Sequence, residues 1–399
     1  MSASNMIATR YMKLFAHVPI LLVDNPDDVL VVCFGTGQTT GAAGIHPRVK
    51  NVDSLELSSS VIRSGKMFAD QNHDVLNNPK VNFVIQDGRN HLLTTNKLYD
   101  VITSEPPPPR TAFTVNLYTR EYYELQKSKL KPGGISAQWI PLHSQGEEEV
   151  AMHFKTFQSV FPYTMGWLSV ANEILIIGSD QPIKIDFNKL NERLQEPEIK
   201  KALKDIEIPD IFSFLSNIWL LNEQVVKLGE GYPLITDNHP AIEFYLELGN
   251  VIGIPGQERY VFNRVRFDDV AKQITNLSEE NRQKLKIYYD AMDLYQRGVM
   301  YGNRGQLLKA MTLVEDDDLF RYHLQADRKQ MQRLTQLIEK EPDNLQYMLN
   351  LAHSFYQIGN YEQSMEILQV VLEKNPNLSF ASLYMGYNLL ESGKKEEAL

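Results

Sequence analysis

The hydrophobic and polar positions of residues 1–248 alternate between short apolar runs and longer amphipathic stretches. Runs that suit buried strands are Val29–Phe34, Val49–Leu57, Val81–Ile85, Asp100–Thr103 and Ile135–Trp139. Stretches with helical periodicity or helix-start residues separate them: Thr39–Gly44, Val61–Ala69, Thr119–Leu130 and Glu147–Phe161. This alternation predicts an α/β fold in which helices cover both faces of a parallel sheet. Two later runs, Gly166–Val170 and Glu173–Gly178, predict a hairpin at the sheet edge.

Glycines and carboxylates follow four successive predicted strands. They are Gly35 and Gly37 around Thr36, then Glu56, then Asp87 with Gly88, and finally Glu105. Because ligands of such sheets bind at the carboxyl ends of the strands, we expect these residues to share one site. The glycine turn allows close backbone approach, Glu56 is spaced to accept ribose hydroxyls, and Asp87 suits the amine of an adenine.

A dinucleotide site is the main alternative for the glycine turn. That site requires Gly-x-Gly-x-x-Gly, but Thr40 occupies the third glycine position and the next glycine is Gly41. The sequence therefore favours a nucleoside without a pyrophosphate.

Composition narrows the class of protein. The chain has 399 residues, 43% of them hydrophobic and 23% charged, which is typical of a soluble globular protein of two or three domains. A net charge of −10 argues against nucleic-acid binding and is compatible with a cationic substrate. The single cysteine, Cys33, excludes an intrachain disulfide and a cysteine-cluster zinc site, and the histidine spacing matches no metal motif. We expect a cytoplasmic protein without a metal.

Eight segments, taken in order, resemble motifs of the polyamine aminopropyltransferases (spermidine and spermine synthases). The segments are Arg10–Pro19, Val29–Gly37, Val52–Glu56, Gln86–Leu92, Tyr99–Glu105, Leu117–Tyr123, Leu130–Gln138 and Thr236–Phe244. This family has the Rossmann-like class I S-adenosylmethionine-methyltransferase fold. The resemblance extends over about residues 10–245 and implies that fold here.

The resemblance also implies a ligand and residue roles. An adenosyl co-substrate, decarboxylated S-adenosylmethionine or S-adenosylmethionine, would bind to Gly35, Thr36, Gly37, Glu56, Asp87 and Gly88. Glu105 stands where the family has the aspartate that deprotonates the attacking amine of a polyamine. Tyr118, Gln138 and Asp237 fall in motifs expected to contact the substrate, although Tyr118 also suits packing and Asp237 also suits a turn. No tightly bound cofactor is expected.

The chain departs from the family pattern in three places. Pro106–Pro109 replaces the segment with a second carboxylate, and Lys13 replaces the glutamate of the entry motif. Because residue 10 already lies in the entry motif, we expect the catalytic domain to lack the family's small N-terminal β-domain.

The C-terminal third has a period of 34 residues, which is that of tetratricopeptide repeats. The repeating pairs are Pro342 with Pro376, Gly359 with Gly393, and Glu362 with Glu396. The predicted organisation is a nucleoside-binding catalytic domain over 1–248, a linker over 249–277 and an all-α repeat domain over 278–399 whose last repeat is incomplete, so that the native protein could extend further. Such repeats bind a protein partner or pack as a stabilising cap, and a homo-oligomer is a further option.

Three functions fit these observations. The first is transfer of an aminopropyl group to a polyamine, with Glu105 as general base. The second is methyl transfer from S-adenosylmethionine, because the same strand ends would hold both nucleosides. The third is a catalytically silent nucleoside-binding scaffold that binds proteins through its repeats.

Overall fold

A computed structural model of the chain describes residues 6–142, 145–170, 173–244, 260, 263–301, 303–315 and 317–394. Contacts between Cα atoms divide the chain into two compact units, Met1–Tyr289 and Asp290–Leu399. Residues 263–277, within the predicted linker, include a short helix and a two-residue strand that pairs with Ile185–Asp186. The domain boundaries at 248 and 278 stay a prediction.

The first unit is built around an eight-stranded sheet with the strand order β3-β2-β1-β4-β5-β7-β6-β9. In the described residues, the strands are β1 (Asp28–Val32), β2 (Asn51–Glu56), β3 (Val81–Ile85), β4 (Tyr99–Ser104), β5 (Leu130–Pro141), β6 (Tyr163–Val170), β7 (Glu173–Ser179), β8 (Ile185–Asp186), β9 (Ile218–Leu221) and β10 (Ile274–Thr275), of which β8 and β10 form a separate pair. Strands β3, β2, β1, β4 and β5 run parallel, whereas β7, β6 and β9 add antiparallel pairs. This topology confirms the predicted Rossmann-like methyltransferase fold.

The helices occupy the connections between these strands and form the C-terminal unit. In the first unit they are α1 (Met6–Leu22), α2 (Gln38–Gly44), α3 (Ser59–Ser64), α4 (Gly88–Thr94), α5 (Arg120–Ser128), α6 (Glu147–Val160), α7 (Phe187–Leu194), α8 (Pro197–Lys204), α9 (Ile211–Leu215), α10 (Asn222–Gly229) and α11 (Phe267–Ala271). Those that follow are α12 (Glu279–Tyr301), α13 (Arg304–Leu313), α14 (Asp318–Lys340), α15 (Leu345–Gln357), α16 (Tyr361–Lys374) and α17 (Ser379–Glu391). Within the described ranges, none of these helices is long and apolar enough to cross a bilayer.

Several element bounds differ from the sequence-based expectations; for example, the predicted strand Ile135–Trp139 is part of the longer β5. Two differences bear on the glycine turn and the sheet edge. The first strand ends at Val32 and not at Phe34, because Cys33 adopts a left-handed backbone with φ 74° and begins the turn. The predicted hairpin is present as β6 and β7, but its placement at the sheet edge was wrong. The short apolar run Ile218–Leu221 pairs with β6 and becomes the outer strand.

Strand register brings the predicted site residues to one edge. Val32, the last residue of β1, pairs with Leu55 of β2 and with Ser104 of β4. The next residues along these strands, Glu56 and Glu105, therefore emerge on either side of the glycine turn.

The C-terminal unit contains the predicted 34-residue repeat. Gly359 follows α15 and Gly393 follows α17, and both adopt left-handed backbones, with φ 77° and 83°. These are equivalent helix-ending positions, where the lack of a Cβ relieves strain. Ala352 and Leu368 are fully buried between helices α15 and α16.

Candidate functional site

A cavity of about 360 Å³ opens at the carboxyl edge of the sheet. Five predicted site residues line it: Gly35, Glu56, Asp87, Gly88 and Glu105. Its other walls include the aromatic side chains of Tyr11 and Trp139, the loop Pro106–Pro108, and apolar residues of the neighbouring strands. A second cavity, of about 370 Å³, borders the start of β4 and contains none of the predicted site residues.

The two glycines of the turn have different structural roles. Gly35 (φ 54°) lines the cavity, and no atom lies within 4 Å of the place where a Cβ would be. Gly37 (φ 79°) faces inward, where a Cβ would lie 2.5 Å from the Phe34 ring. Asn72 holds the turn in place, since its amide donates to the carbonyl oxygens of Thr36 (3.0 Å) and Gly65 (2.8 Å). Of these two glycines, only Gly35 therefore leaves room for a ligand to come close to the backbone.

The glycine that the sequence places late, Gly41, has a packing role. A Cβ there would lie 1.9 Å from the carbonyl oxygen of Asn72. Gly41 thus lets α2 approach the segment that anchors the turn.

Thr36, another predicted site residue, lies outside the cavity lining, and its hydroxyl faces the Met12 sulfur at 3.6 Å.

Two acidic residues stand at the ends of β2 and β3. The Glu56 Oε1 atom accepts hydrogen bonds from the backbone N–H groups of Leu57 (2.8 Å) and Ser58 (3.2 Å). Asp87 caps α4, and its Oδ1 atom accepts from the Asn90 N–H at 2.9 Å. These bonds to nearby backbone fix both carboxylates at the cavity wall.

Glu105 lies directly beyond β4 and is half-buried at the cavity. Its Oε2 atom lies 3.1 Å from the Thr39 hydroxyl, and the Tyr11 hydroxyl also interacts with its carboxylate. Burial raises the pKa of Glu105 to about 7, while these two hydroxyls act in the opposite direction. A carboxyl with this pKa can accept or release a proton near neutral pH.

The aromatic wall rests on a second buried carboxyl group. The Trp139 indole N–H donates to Glu173 Oε2 at 2.6 Å, and Glu173 is 2% exposed. Burial raises the pKa of Glu173 to about 8, and the nearby Glu105 contributes in the same direction. The Tyr11 ring lies nearly parallel to that of Trp139, with centroids 6.4 Å apart and an interplanar angle of 16°.

The three predicted substrate residues lie outside the cavity lining. Tyr118 is buried, and its hydroxyl donates to the carbonyl oxygens of Pro106 (3.4 Å) and Pro107 (3.2 Å), so it supports the proline loop. Gln138 is buried on the strand beside Trp139. Asp237 forms a bidentate ion pair with Arg89. Partial burial acts to raise the pKa of Asp237, but the hydrogen bonds from Arg89 and Thr119 outweigh it and lower that pKa. The substrate roles of these three residues stay predictions.

Sequence reasoning missed Tyr11, Thr39, Trp139 and Glu173. Tyr11 lies inside the first family-like segment, and Thr39 lies on the helix that follows the glycine turn.

Across the ranges that the structure describes, no group of three or more His, Cys, Asp or Glu side chains could hold a metal ion.

Comparisons with known proteins give a family match in each half of the chain. The spermine/spermidine synthase domain profile matches residues 8–171, and a tetratricopeptide repeat profile matches residues 331–386. The polyamine aminopropyltransferase of Methanocaldococcus jannaschii is 30% identical over 206 residues, which are 49% of this chain and 67% of the relative. The Bacillus cereus enzyme of the same name is 31% identical over 207 residues, which are 49% of this chain and 72% of the relative. The solved spermidine synthase of Thermotoga maritima is 20% identical, with a TM-score of 0.39 over 60% of this chain and 72% of the other.

Proposed function

Because this chain belongs to the spermine/spermidine synthase family, we propose that it catalyses, in this cavity, the transfer of an aminopropyl group from decarboxylated S-adenosylmethionine to a polyamine. The main support is the position of Glu105, half-buried in the cavity that also contains Gly35, Glu56 and Asp87. The adenosyl group would lie against the last three residues, with the ribose hydroxyls on Glu56 and the adenine amine near Asp87.

The charge of the cavity favours this co-substrate over intact S-adenosylmethionine. Among the described residues that line it, the charged ones are Glu56, Asp87 and Glu105, and all are acidic. The carboxylate of intact S-adenosylmethionine would meet like charges there. Decarboxylated S-adenosylmethionine lacks this group and ends in a cationic amine, as does a polyamine acceptor. Electrostatic complementarity therefore supports aminopropyl transfer over methyl transfer.

The reaction needs one proton acceptor. The acceptor nitrogen attacks the aminopropyl carbon next to the sulfonium, the C–S bond breaks, and its electron pair returns to sulfur. Methylthioadenosine leaves as a neutral thioether, and the proton of the attacking amine moves to the Glu105 carboxylate. Most of the rate gain would come from alignment of the nitrogen with the carbon, since the sulfonium is already a good leaving group.

Product formation tests this proposal. The protein is incubated with decarboxylated S-adenosylmethionine and 1,4-diaminobutane, and methylthioadenosine is measured by chromatography. We expect steady release of methylthioadenosine that falls by about 10²- to 10⁴-fold in Glu105→Gln. Glu198→Gln, at an exposed position of α8, is the matched control and should retain full activity. Equal rates in the wild type and Glu105→Gln would contradict the proposal.

A further inference from the structure

The Arg89 side chain connects the start of α4 to three later segments of the chain. Arg89 is the second residue of α4, directly after Gly88, which lines the cavity. Its Nη1 atom lies within hydrogen-bond distance of the Asn116 carbonyl oxygen (3.1 Å), the Thr119 hydroxyl (3.2 Å) and Asp237 Oδ1 (2.8 Å). Its Nη2 atom donates to Asp237 Oδ2, so the ion pair is bidentate.

The start of α4 is a fixed base for this side chain. A Cβ at Gly88 would lie 2.5 Å from Val32 Cγ1, so the helix begins in close contact with the end of β1. Asp87 caps the same helix and lines the cavity, where we expect it to meet the adenine amine. Arg89 therefore extends from the adenine side of the proposed site.

Asp237 is held on its own side by hydrogen bonds of the backbone. Its N–H donates to Glu121 Oε2 at 3.1 Å. Two residues earlier, the Ile235 carbonyl oxygen accepts from the Arg120 N–H at 2.9 Å, and the Ile235 N–H donates to the Thr156 hydroxyl on α6 at 2.9 Å. The Asp237 carboxylate is thus presented to the guanidinium group by a turn that is anchored to both α5 and α6.

The segment between these two anchors forms a wall of the cavity. Asn116, whose carbonyl oxygen Arg89 contacts, precedes Leu117, and Leu117 lines the cavity together with Pro106–Pro108. The next residue, Tyr118, is buried, and its hydroxyl donates to the carbonyl oxygens of the first two prolines. A shift of Asn116 would therefore displace Leu117 and, through Tyr118, the proline loop.

We propose that Arg89 and Asp237 are positioning residues for the adenosyl co-substrate: their ion pair fixes the width of the cavity between the start of α4 and the wall that contains Leu117. The inference rests on the proposed function, and it gives Asp237 a role in co-substrate binding without contact with a substrate. The two side chains are 20% and 37% exposed, so their pair should contribute little to the stability of the fold. Its effect should appear in binding, because a displaced wall loses contacts with the ligand.

Calorimetric titration with methylthioadenosine tests the inference without a need for turnover. It is performed on the wild type, Arg89→Gln, Asp237→Asn and the double variant. We expect each single variant to weaken methylthioadenosine binding about tenfold, because each removes the bidentate pair. The double variant should bind about as tightly as either single variant, since both changes break the same interaction. Arg89→Lys keeps the charge without the planar fork and should have an intermediate affinity.

Two further measurements distinguish positioning from a general loss of structure. The urea midpoint of unfolding should change little in either single variant, because the pair is partly exposed. In steady-state assays KM for decarboxylated S-adenosylmethionine should rise about tenfold, while kcat and KM for 1,4-diaminobutane change less than about threefold, since Glu105 is held by Thr39 and not by this pair. Arg63→Gln, at an exposed position of α3, is the matched control and should keep the wild-type affinity for methylthioadenosine.

The outcomes separate this inference from the proposed function. Weaker methylthioadenosine binding in Arg89→Gln and Asp237→Asn, in a protein that releases no methylthioadenosine from the co-substrate, would support the inference and refute the reaction. Methylthioadenosine release with wild-type affinity in both variants would refute the inference alone. Additive losses in the double variant, or a wild-type protein that does not bind methylthioadenosine, would also overturn it.

Discussion

The Thr39 hydroxyl lies 3.1 Å from Glu105 Oε2 and 2.9 Å from the carbonyl oxygen of Met12. A hydroxyl has a single proton, so it can donate fully to only one of these oxygens. When Glu105 is ionised, Thr39 can donate to it. When Glu105 is protonated, the carboxyl group can donate to Thr39, which then donates to Met12. Thr39 thus accommodates both states of the candidate base, at the helix that follows the glycine turn.

The pH dependence of catalysis should report the ionisation of Glu105. Its pKa of about 7 predicts that kcat/KM rises as the pH increases through 7, because only the ionised carboxylate can accept the amine proton. The acceptor amine, with a pKa of about 10, titrates outside this window. Initial rates of methylthioadenosine release between pH 5.5 and 8.5 provide the measurement. A flat profile across this range would contradict the assignment of Glu105 as the base.

Removal of the Thr39 hydroxyl should shift that profile upward. The hydrogen bond from Thr39 favours ionised Glu105, so Thr39→Val should raise the pKa of the carboxyl group by up to about one unit. The rising limb of kcat/KM then moves to higher pH. Thr40→Val is the matched control, since Thr40 lies on the same helix and bonds Ser54 at 2.8 Å. If both variants have the wild-type pH profile, the Thr39 hydroxyl does not influence the pKa of Glu105.

The stability of Glu105→Gln relative to the wild type should increase with pH. The folded protein holds the Glu105 proton up to a pKa of about 7, against an ordinary value of 4.5. Between these values the folded state binds more protons than the unfolded state, so wild-type stability falls as pH rises. The variant avoids this loss. We expect its advantage in unfolding free energy to grow by on the order of 2 kcal/mol between pH 5 and 8.5, after allowance for solvent screening.

Urea denaturation at the two pH values measures this difference. Glu198→Gln, which alters an exposed glutamate, should keep the same small difference from the wild type at both. An advantage of Glu105→Gln that does not change with pH would mean that Glu105 has an ordinary pKa.

The two glycines of the turn should respond differently to alanine. Gly35→Ala places a methyl group in the cavity, so it should weaken methylthioadenosine binding at least tenfold and, because of its positive φ, reduce stability by about 1 kcal/mol. Gly37→Ala combines a positive φ with a clash against Phe34 and should reduce stability by about 2–4 kcal/mol. Denaturation and calorimetry together measure both effects. Equal losses of stability in the two variants would contradict the distinction.

Much of the fold and one side of the site could be predicted from local sequence. The apolar runs of β1 to β4 are short and bounded by turn residues, so the residues that follow them were identifiable as the carboxyl edge. Glu56, Asp87 and Glu105 line the cavity for that reason.

The aromatic side of the site depends on contacts that local sequence does not encode. Glu173 reaches Trp139 only through the antiparallel pairing of β5 with β7. Neighbouring residues of a strand also face opposite sides of the sheet, so Gln138 was a candidate while Trp139 lines the cavity. The family-like motif located the strand but not the side chain that lines the cavity.

The identity of the nucleoside product tests the central claim most directly. The protein is given 1,4-diaminobutane with an equimolar mixture of decarboxylated S-adenosylmethionine and S-adenosylmethionine, and the products are identified by mass spectrometry. Aminopropyl transfer predicts methylthioadenosine together with an aminopropylated diamine, and neither should accumulate with Glu105→Gln. Accumulation of S-adenosylhomocysteine, or no turnover of either co-substrate, would contradict the account.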